Sequence, residues 1–278
     1  MKKAMVFLLC LCMSVVIFTA DAGAYTEDNG VALFIDGEAF APPAPMILIN
    51  GTTYVPLRSF CMKMDENAVV TWDGITKTAS VISADLAIEV TLGEEYMTAN
   101  GRYLYIPDGS FMHENYIMVP VRNLAKAYGA AVTWDGATNT ATVTSGGSAI
   151  LSGDIYYDQD DLYWLSRIIF AESGAEVLDG QIGVGNVVMN RISCDYYPDT
   201  IYDVIFDTQF GVQFSPIANG AIYKKPSDQS VIAAKLVLDG ARTVGSSLFF
   251  LNESIATSRW ICNNKDLIVT IGGHSFYA

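Results

Sequence analysis

A repeat within the first half of the chain constrains its fold more than any other feature. The segments 54–60 (YVPLRSF) and 69–81 (VVTWDGITKTASV) recur in the same order as 118–124 (MVPVRNL) and 131–143 (AVTWDGATNTATV). The prolines of the two copies are 64 residues apart and the tryptophans 62, so the second copy is two residues shorter between these landmarks. Such self-similarity at a nearly fixed offset indicates a duplicated supersecondary unit.

Each copy of the repeat predicts a strand, a short helix and a hairpin. Apolar residues recur at helical spacing after each proline, and an Asp-Gly pair between β-prone runs is typical of a hairpin. Gly129 is predicted to end the second helix, because glycine readily adopts the left-handed conformation found at helix ends. The positions are Leu57, Phe60, Met64 and Asp73-Gly74 in the first copy, and Val121, Leu124, Tyr128 and Asp135-Gly136 in the second.

A tryptophan and an arginine recur in each copy, and either could support the fold or bind a ligand. Trp72 and Trp134 are predicted to pack in the core beside the hairpin turn, since large aromatic side chains are mostly buried. An exposed surface that stacks on sugars is the alternative. Arg58 and Arg122 are expected to pair with a nearby carboxylate or carbonyl group.

With VPLR followed by TWDG, residues 30–145 resemble the copper amine oxidase N-terminal repeat domain of secreted bacterial surface proteins. The resemblance implies a non-catalytic module of the cell wall or surface. It implies no copper chemistry, because the whole chain has only two histidines, His113 and His274, and lacks the residue set of a copper site. We expect neither a metal nor a cofactor.

Residues 1–24 are predicted to be a secretory signal peptide that is cut after Ala24. A basic start is followed by 17 uncharged residues, 4–20, and then by small residues. An uncleaved membrane anchor is the alternative, but the apolar run is shorter than the roughly 20 residues that a spanning helix needs. We therefore expect a secreted protein with no integral membrane association after cleavage.

The charge balance argues against two classes of partner. The chain has 16 Lys and Arg against 30 Asp and Glu, a formal net charge of −14. Binding to nucleic acid phosphates needs a basic face, and so does adhesion to an anionic bilayer. The sequence identifies no protein partner.

Three cysteines lie outside the predicted signal peptide. They are Cys61, Cys194 and Cys262, and their spacing matches neither a disulfide framework nor a zinc site. A single Cys194–Cys262 bridge and three buried thiols are both compatible with the sequence.

The second half begins after a Ser-Gly-Gly-Ser stretch at 145–148. This composition predicts a flexible linker over 146–154 and a second domain over 155–278. That domain opens with an acidic helix start, DQDD, followed by Leu162, Leu165 and Ile169 on one face of the helix.

The next position on that apolar face is Glu172. A carboxylate in a core-facing stripe is costly unless it has a use or a partner, so Glu172 is a candidate functional residue. A helix end near Gly174 that turns Glu172 towards solvent is the alternative reading.

The segment 168–192 resembles the opening of the SleB-type cell wall hydrolases, the spore cortex-lytic enzymes. Further matches follow in order, and the resemblance covers about 155–278. It implies a small, mainly helical α+β domain like that of lysozymes and transglycosylases. The whole chain is thus predicted to be α+β, with the duplicated strand–helix–hairpin unit first. The matching segments are IIFAESGAEVLDGQIGVGNVVMNRI (168–192), QFSPIANG (213–220), SLFFLN (247–252), SRWI (258–261) and IGGHSFY (271–277).

The resemblance implies cleavage of the peptidoglycan glycan backbone between N-acetylmuramic acid and N-acetylglucosamine. The product would be that of a lytic transglycosylase or of a muramidase, in wall remodelling or spore cortex lysis. The resemblance thus implies a secreted protein associated with the cell wall or the spore. The family's catalytic glutamate is retained as Glu172. A carboxyl group in a partly apolar setting keeps its proton near neutral pH, and can therefore protonate the glycosidic oxygen. Peptidoglycan is the expected partner, and an amidase is disfavoured because zinc-ligand histidines are lacking.

Eight further residues are predicted to contact the substrate. Aromatic rings would stack on sugar faces, and amide and hydroxyl side chains would hydrogen-bond the sugar substituents. A packed structural role is the alternative for His274. Glu176 could raise the proton affinity of Glu172, or it could serve as the carboxylate at the start of the next helix. The eight are Glu176, Gln213, Phe214, Ser215, Asn219, Asn252, Trp260 and His274.

Four positions depart from the family pattern. Gly174 and Ala175 stand where the family has Arg and Gly, Asn219 replaces an acidic residue, and Glu253 replaces a proline. The departures at Gly174, Ala175 and Asn219 motivate a second hypothesis, a non-catalytic protein that binds the cell wall through a degenerate hydrolase domain.

Overall fold

The computed structural model describes residues 26–27, 30–209, 211 and 213–278. The predicted signal peptide, 1–24, lies outside the described residues. The described chain is α+β, as predicted, and has two hydrophobic cores, one formed by residues up to 150 and the other by residues from 165 onward. Among the helices described, none combines the length and the apolar character needed to cross a membrane.

The first half is rich in strands. Two short helices, α1 (Leu57–Met64) and α2 (Val121–Ala127), each follow directly on a strand that ends in proline. The described strands are β1 (Thr26–Glu27), β2 (Ala32–Ile35), β3 (Glu38–Ala39), β4 (Ile47–Ile49), β5 (Thr52–Pro56), β6 (Val69–Asp73), β7 (Thr78–Ile82), β8 (Ala87–Thr91), β9 (Tyr96–Ala99), β10 (Arg102–Tyr105), β11 (Phe111–His113), β12 (Tyr116–Pro120), β13 (Ala131–Asp135) and β14 (Thr140–Thr144).

The two copies of the repeat meet at the centre of one sheet, whose strand order is β1-β4-β5-β12-β11. Strands β5 and β12 are antiparallel, and Val55 pairs with Val119, its own counterpart in the other copy. Because equivalent residues pair, a local twofold axis passes between the two strands. Each copy contains a strand, a helix and a hairpin in the predicted order.

Different strands extend the two hairpins. The first, β6–β7, continues into β8, β9 and β10, whereas in the second, β13–β14, strand β14 pairs in parallel with β2. Asp73 closes the first turn by accepting hydrogen bonds from the backbone N–H of Ile75 at 2.8 Å and of Thr76 at 3.4 Å. Gly129 has a φ of +65° just after α2, as predicted for the residue that ends this helix.

The prediction that the two repeat tryptophans pack in the core is wrong. Trp72 is 46% exposed and Trp134 is 44% exposed. Both lie on edge strands, β6 and β13, which have a partner strand on one side only within the described sheets. The expected pairing of Arg58 is confirmed, since its Nη2 donates to the carbonyl oxygen of Val70 at 2.8 Å.

The second half is mainly helical. Helices α4, α5 and α8 pack against one another, and a small antiparallel sheet of order β15-β17-β16 completes this half. Its elements are α3 (Gly153–Tyr156), α4 (Gln159–Ser173), α5 (Leu178–Ile192), α6 (Ile201–Phe206), α7 (Ser215–Asn219), a 3-10 helix (Ala221–Tyr223), α8 (Asp228–Leu238), β15 (Phe249–Leu251), α9 (Trp260–Asn264), β16 (Leu267–Ile271) and β17 (His274–Tyr277).

Helix α4 begins as the acidic sequence predicts. The Asp158 side chain caps it by accepting hydrogen bonds from the backbone N–H groups of Asp160 and Asp161. Leu165 and Ile169 are fully buried on its inner face. A side chain at Gly185 of α5 would lie 2.9 Å from Ile169, so the glycine allows the two helices to approach closely. The predicted apolar stripe of α4 is therefore confirmed up to the turn that carries Glu172.

The segment between the halves packs against the first half, contrary to the flexible linker predicted over 146–154. A Cβ at Gly147 would lie 2.1 Å from the carbonyl oxygen of Gly129, so the two backbones are in contact. Ile150 belongs to the first core and donates a backbone hydrogen bond to Ala127. Small residues favour flexibility in an isolated chain, whereas in this structure they permit close backbone packing.

An ion-pair network joins the two halves. Asp239, at the end of α8, accepts two hydrogen bonds from Arg102 at 2.9 and 2.7 Å, and one from Lys126 at 2.6 Å. The Tyr157 hydroxyl also donates to Asp239 at 3.0 Å. Burial opposes ionisation of Asp239, but the hydrogen bonds from Arg102 and Lys126 outweigh it and hold the pKa of this carboxyl below its ordinary value. We call these four residues the Asp239 network.

The cysteines form no bridge among the described residues. Cys61 is a buried thiol, and Cys194 and Cys262 are partly buried free thiols. Burial raises the pKa of Cys61 to about 12, so this thiol stays protonated. The structure thus has three free thiols and no Cys194–Cys262 bridge among the described residues, and only Cys61 is fully buried.

Candidate active site

Glu172 lies in the last turn of α4, above the buried Leu165 and Ile169. The helix ends one residue later, and Gly174 follows it. A Cβ at Gly174 would lie 2.6 Å from the carbonyl oxygen of Phe170, so the chain leaves the helix in close contact with its last turn. Glu172 is thus fixed on a rigid helix at the edge of the second core.

Burial raises the pKa of Glu172 to about 7, against the opposing positive field of the Arg191 guanidinium. Desolvation penalises the charged carboxylate, and no other carboxylate is among the causes of the shift. The expectation that Glu176 raises the proton affinity of Glu172 is therefore not met. A carboxyl group with such a pKa is part protonated at neutral pH, as a general acid must be.

Glu172 lines a wide cleft of about 1390 Å³ in the second half of the chain. The end of α5 and the loop after it form one wall, and β15, α9 and the start of β17 form the other. The lining combines aromatic rings, such as those of Tyr196, Phe249 and Trp260, with polar side chains. An open cleft with aromatic and polar walls suits an extended ligand made of sugar rings.

Arg191 supplies the positive charge that lowers the pKa of Glu172. It lies at the end of α5 and is 5% exposed. Its Nε donates to the carbonyl oxygen of Leu248 at 2.9 Å. Its guanidinium carbon lies 5.0 Å from the ring centroids of both Tyr197 and Phe214. These contacts hold a positive charge inside the cleft wall, where it favours the carboxylate form of Glu172.

The structure brings five of the eight predicted substrate residues to the cleft. Trp260 is 56% exposed at the start of α9, which suits ring stacking. The side chain of Asn252 accepts hydrogen bonds from Ser254, from its backbone N–H at 3.0 Å and its hydroxyl at 2.6 Å. The five residues that line the cleft with Glu172 are Gln213, Ser215, Asn252, Trp260 and His274.

The other three predicted substrate residues, Phe214, Asn219 and Glu176, do not line the cleft. Phe214 is 1% exposed and packs beneath Arg191, so it cannot stack on a sugar. The sequence could not distinguish a ring on the cleft from one below it. Asn219 is exposed outside the cleft lining, and its side chain accepts a hydrogen bond from the backbone N–H of Ala221 at 2.9 Å. Its role in the structure is to stabilise the turn after α7.

Glu176 lies between α4 and α5, outside the wide cleft, and holds the turn between β16 and β17. Its Oε2 accepts a hydrogen bond from the Gly273 backbone N–H at 2.9 Å. Its Oε1 lies 3.6 Å from Nδ1 of His274. Val177 occupies the N-cap position of α5, so Glu176 lies one residue ahead of it, as in the alternative that places this carboxylate before the next helix. Glu176 therefore does not line the wide cleft, although it lines a neighbouring open depression of about 480 Å³ together with Glu172.

His274 begins β17 and is 8% exposed. Its ring lies 5.5 Å from that of Phe250 and 6.4 Å from that of Phe276. Burial lowers the pKa of His274, and the nearby Glu176 only partly opposes this. A neutral imidazole packed among aromatic rings fits the structural alternative, although His274 is also among the residues that line the cleft.

Sequence reasoning missed several residues of the cleft. The sequence could have indicated Arg191, because it stands in MNRI at the end of the segment that resembles the family. An arginine on a mostly apolar helix such as α5 also needs a partner or a function. Tyr196, Tyr197 and Lys265 also line the cleft. They come from loops and a helix end, where no periodic pattern indicates which way a side chain points.

Substituting Arg191 is expected to change the proton affinity of Glu172. In Arg191→Met the opposing positive charge is lost, so the pKa of Glu172 should rise and the alkaline limb of a Glu172-dependent pH profile should move to higher pH. Arg191→Lys keeps the positive charge and should therefore raise the pKa of Glu172 less than Arg191→Met does. The pKa can be read by NMR titration of carboxyl-labelled glutamate. A pKa of Glu172 that is the same in Arg191→Met and the parent would contradict this assignment.

Family models match both halves of the chain. Residues 34–151 match the copper amine oxidase N-terminal domain, and residues 175–277 match the cell wall hydrolase family. The second match begins just after Glu172. The chain is also similar to the spore cortex-lytic enzyme of Oceanobacillus iheyensis, at 29% identity over 141 residues, 51% of this chain and 50% of that protein.

Further relatives match the second half. The spore cortex-lytic enzyme of Bacillus cereus is 32% identical over 120 residues, 43% of this chain and 45% of that protein. The chain thus spans about half the length of these relatives. The solved catalytic domain of the germination-specific lytic transglycosylase SleB from Bacillus anthracis is 30% identical; the match covers 46% of this chain and 100% of that one, with a TM-score of 0.41. The chain carries a copper amine oxidase N-terminal domain followed by a domain of the cell wall hydrolase family.

Proposed function

We propose that this chain is a secreted peptidoglycan hydrolase that cleaves the glycan backbone between N-acetylmuramic acid and N-acetylglucosamine. The observation that carries the proposal is Glu172, a carboxyl group whose pKa burial raises to about 7, at the edge of a cleft of about 1390 Å³. Similarity to spore cortex-lytic enzymes supports it. Wall remodelling and spore cortex lysis are the settings that fit this activity.

Glu172 acts first as a general acid in this proposal. Its carboxyl proton goes to the glycosidic oxygen, the bond between that oxygen and C1 of the muramic acid breaks, and the glucosamine leaves with a hydroxyl group. Positive charge on C1 is stabilised by the substrate's own acetamido group, so a second enzyme carboxylate is not obligatory. Accordingly, the placement of Glu176 on the turn between β16 and β17 is compatible with catalysis.

Glu172 then acts as a base. Its carboxylate removes a proton either from the 6-hydroxyl of the same muramic acid or from water, and the resulting oxygen attacks C1. The first route gives an anhydro end, as in a lytic transglycosylase, and the second gives a reducing end, as in a muramidase. We propose for this half a fold of the lysozyme and transglycosylase type, which holds one such carboxyl group over a glycan cleft.

The alternative, a wall-binding protein with a degenerate hydrolase domain, rests on departures from the family pattern. Asn219 is one of them, but it lies outside the cleft lining and stabilises a turn. Gly174 and Ala175 adjoin Glu172 without supplying a charge that would alter it. The retained Glu172 with its raised pKa therefore favours an active enzyme.

Labelling the new chain ends tests the proposed bond. The full chain would be incubated with purified peptidoglycan, and the products would be reduced with borohydride and separated. We expect new ends on muramic acid, either reducible or present as the anhydro form. Reducible ends on glucosamine, or new amino and carboxyl ends in the peptides, would show that a different bond is cut.

A further inference from the structure

The duplication in the first half creates two equivalent surface grooves. The Trp72 groove is about 290 Å³ and the Trp134 groove about 200 Å³. Both are lined by the same six positions of the repeat, offset by 64 residues in the helix and by 62 in the hairpin. In the Trp72 groove these positions are Leu57, Arg58, Val70, Thr71, Trp72 and Ala79.

Each groove is completed by a hairpin of the other copy. Strands β11 and β12 supply the far wall of the Trp72 groove, and β4 and β5 supply that of the Trp134 groove. This exchange follows from the local twofold axis between β5 and β12. The two grooves are therefore the same structure built twice, and each needs both copies of the repeat.

The lining residues of the two grooves are nearly identical, whereas the hairpin turns beside them differ between the copies. Ile75 of the first hairpin turn corresponds to Ala137, and Lys77 corresponds to Asn139, and none of these four lines a groove. Five of the six shared lining positions are identical in the two copies, and the sixth is Leu57 in one copy and Val121 in the other. A tryptophan held for packing alone would be buried, whereas Trp72 and Trp134 keep nearly half of their surface exposed.

The charge of the grooves is opposite to that of the protein. The chain carries a net charge of −14, but each groove presents an arginine, Arg58 or Arg122, and none of the described lining residues is acidic. An arginine beside an aromatic face suits a ligand that has both an apolar ring face and a carboxylate. A glycan strand with carboxylate-bearing peptide stems has both.

We propose that the Trp72 and Trp134 grooves are twin binding sites for peptidoglycan strands, in which a sugar ring stacks on the tryptophan and a stem carboxylate pairs with the arginine. The choice of this ligand rests on the function proposed for the second half. Because the polymer repeats, two equal sites can bind neighbouring stretches at the same time, and the combined affinity exceeds that of either site. The first half thus holds the enzyme on its insoluble substrate.

Retention on purified peptidoglycan sacculi tests the twin sites. The full chain would carry Glu172→Gln, so that the polymer is not digested during the measurement. We expect Trp72→Ala or Trp134→Ala to weaken binding about tenfold, because a chain with one intact site no longer gains affinity from binding at two linked sites. The double variant should bind more weakly still. Ile75→Ala is the matched control, since Ile75 is 94% exposed on the same hairpin but lies outside the groove.

Two comparisons separate stacking from charge. Trp72→Phe with Trp134→Phe keeps an aromatic face and should restore much of the binding if the alanine variant remains folded. Arg58→Gln with Arg122→Gln should reduce binding to sacculi and its dependence on salt. The same variant should bind chitin, an uncharged glycan, as the parent does.

The outcomes distinguish this proposal from the function proposed above. Unchanged retention of the double alanine variant would overturn the twin sites, whether or not the enzyme cleaves glycan. Retention that depends on the tryptophans, in a chain that cleaves no glycan when Glu172 is intact, would leave the twin sites standing and overturn the proposed activity. Equal loss of binding in Ile75→Ala would indicate a structural effect and would also overturn the twin sites.

Discussion

Replacing Glu172 with glutamine is expected to reduce glycan cleavage by about 10²–10⁴-fold, which corresponds to roughly 3–5 kcal/mol of activation free energy. Glutamine keeps the shape of the side chain but has no carboxyl proton to give to the glycosidic oxygen. The rate of muropeptide release from purified peptidoglycan measures the effect. The parent should in turn lose activity as the pH rises through about 7, where Glu172 loses its proton.

Glu176→Gln is the matched control for this prediction. Glu176 is the next glutamate along the chain, but its carboxylate binds the turn at Gly273 and lies outside the cleft lining. We expect its substitution to lower activity much less than that of Glu172. Full activity in Glu172→Gln together with loss of activity in Glu176→Gln would reverse the two roles.

Glu172→Gln should make the protein more stable although it makes the enzyme less active. The folded-state pKa of Glu172 is about 7, above the ordinary value of 4.5, so ionisation of this group opposes folding as the pH rises through that window. Glu172→Gln removes this penalty. We expect its free energy of unfolding to exceed that of the parent by up to about 3 kcal/mol at pH 8, and to be similar at pH 4. Equal stability at both pH values would contradict the buried setting of Glu172.

Asp239→Asn is expected to lower the free energy of unfolding of the full chain by about 3 kcal/mol at pH 7. The variant leaves Arg102, whose side chain is 9% exposed, without the carboxylate that it contacts with two hydrogen bonds. Chemical denaturation followed by circular dichroism measures the loss. A fragment of residues 155–278 lacks both Arg102 and Lys126, so we expect it to be less stable than the same residues in the full chain.

The pH dependence of this effect has a defined sign. The pKa of Asp239 is held below its ordinary value, so its contribution to stability is present above about pH 4 and is lost as the pH falls through the folded-state pKa. The difference between parent and Asp239→Asn should therefore shrink in acid. Asp228→Asn, on the exposed start of the same helix, is the control and should cost no more than about 1 kcal/mol. An Asp239→Asn variant as stable as that control would show that the network contributes little.

Local patterns predicted those parts of the chain whose structure depends on local sequence. The proline and the apolar spacing of each repeat predicted α1 and α2, and DQDD predicted the cap of α4. The apolar stripe indicated Glu172 because a helix brings every third or fourth residue to one face. In each case the deciding interactions lie within a few residues of one another.

Predictions failed where distant segments decide the environment of a residue. Trp72 is exposed because β6 is an edge strand, which follows from sheet order and cannot be seen in the hairpin itself. Phe214 is buried because it belongs to the second core, where its neighbours Arg191 and Phe250 are both more than 20 residues away in the sequence. Asp239 was not singled out at all, since its partners Arg102 and Lys126 lie in the other half of the chain.

The most direct test of the proposed function is the digestion of purified peptidoglycan by the full chain and by Glu172→Gln, with the released fragments identified by mass. We predict that the parent releases disaccharide-peptides that end in muramic acid, in the anhydro or the reducing form, and that the variant releases almost none. Peptides without sugar, or the same disaccharide-peptides released at the same rate by the variant, would contradict glycan cleavage by Glu172.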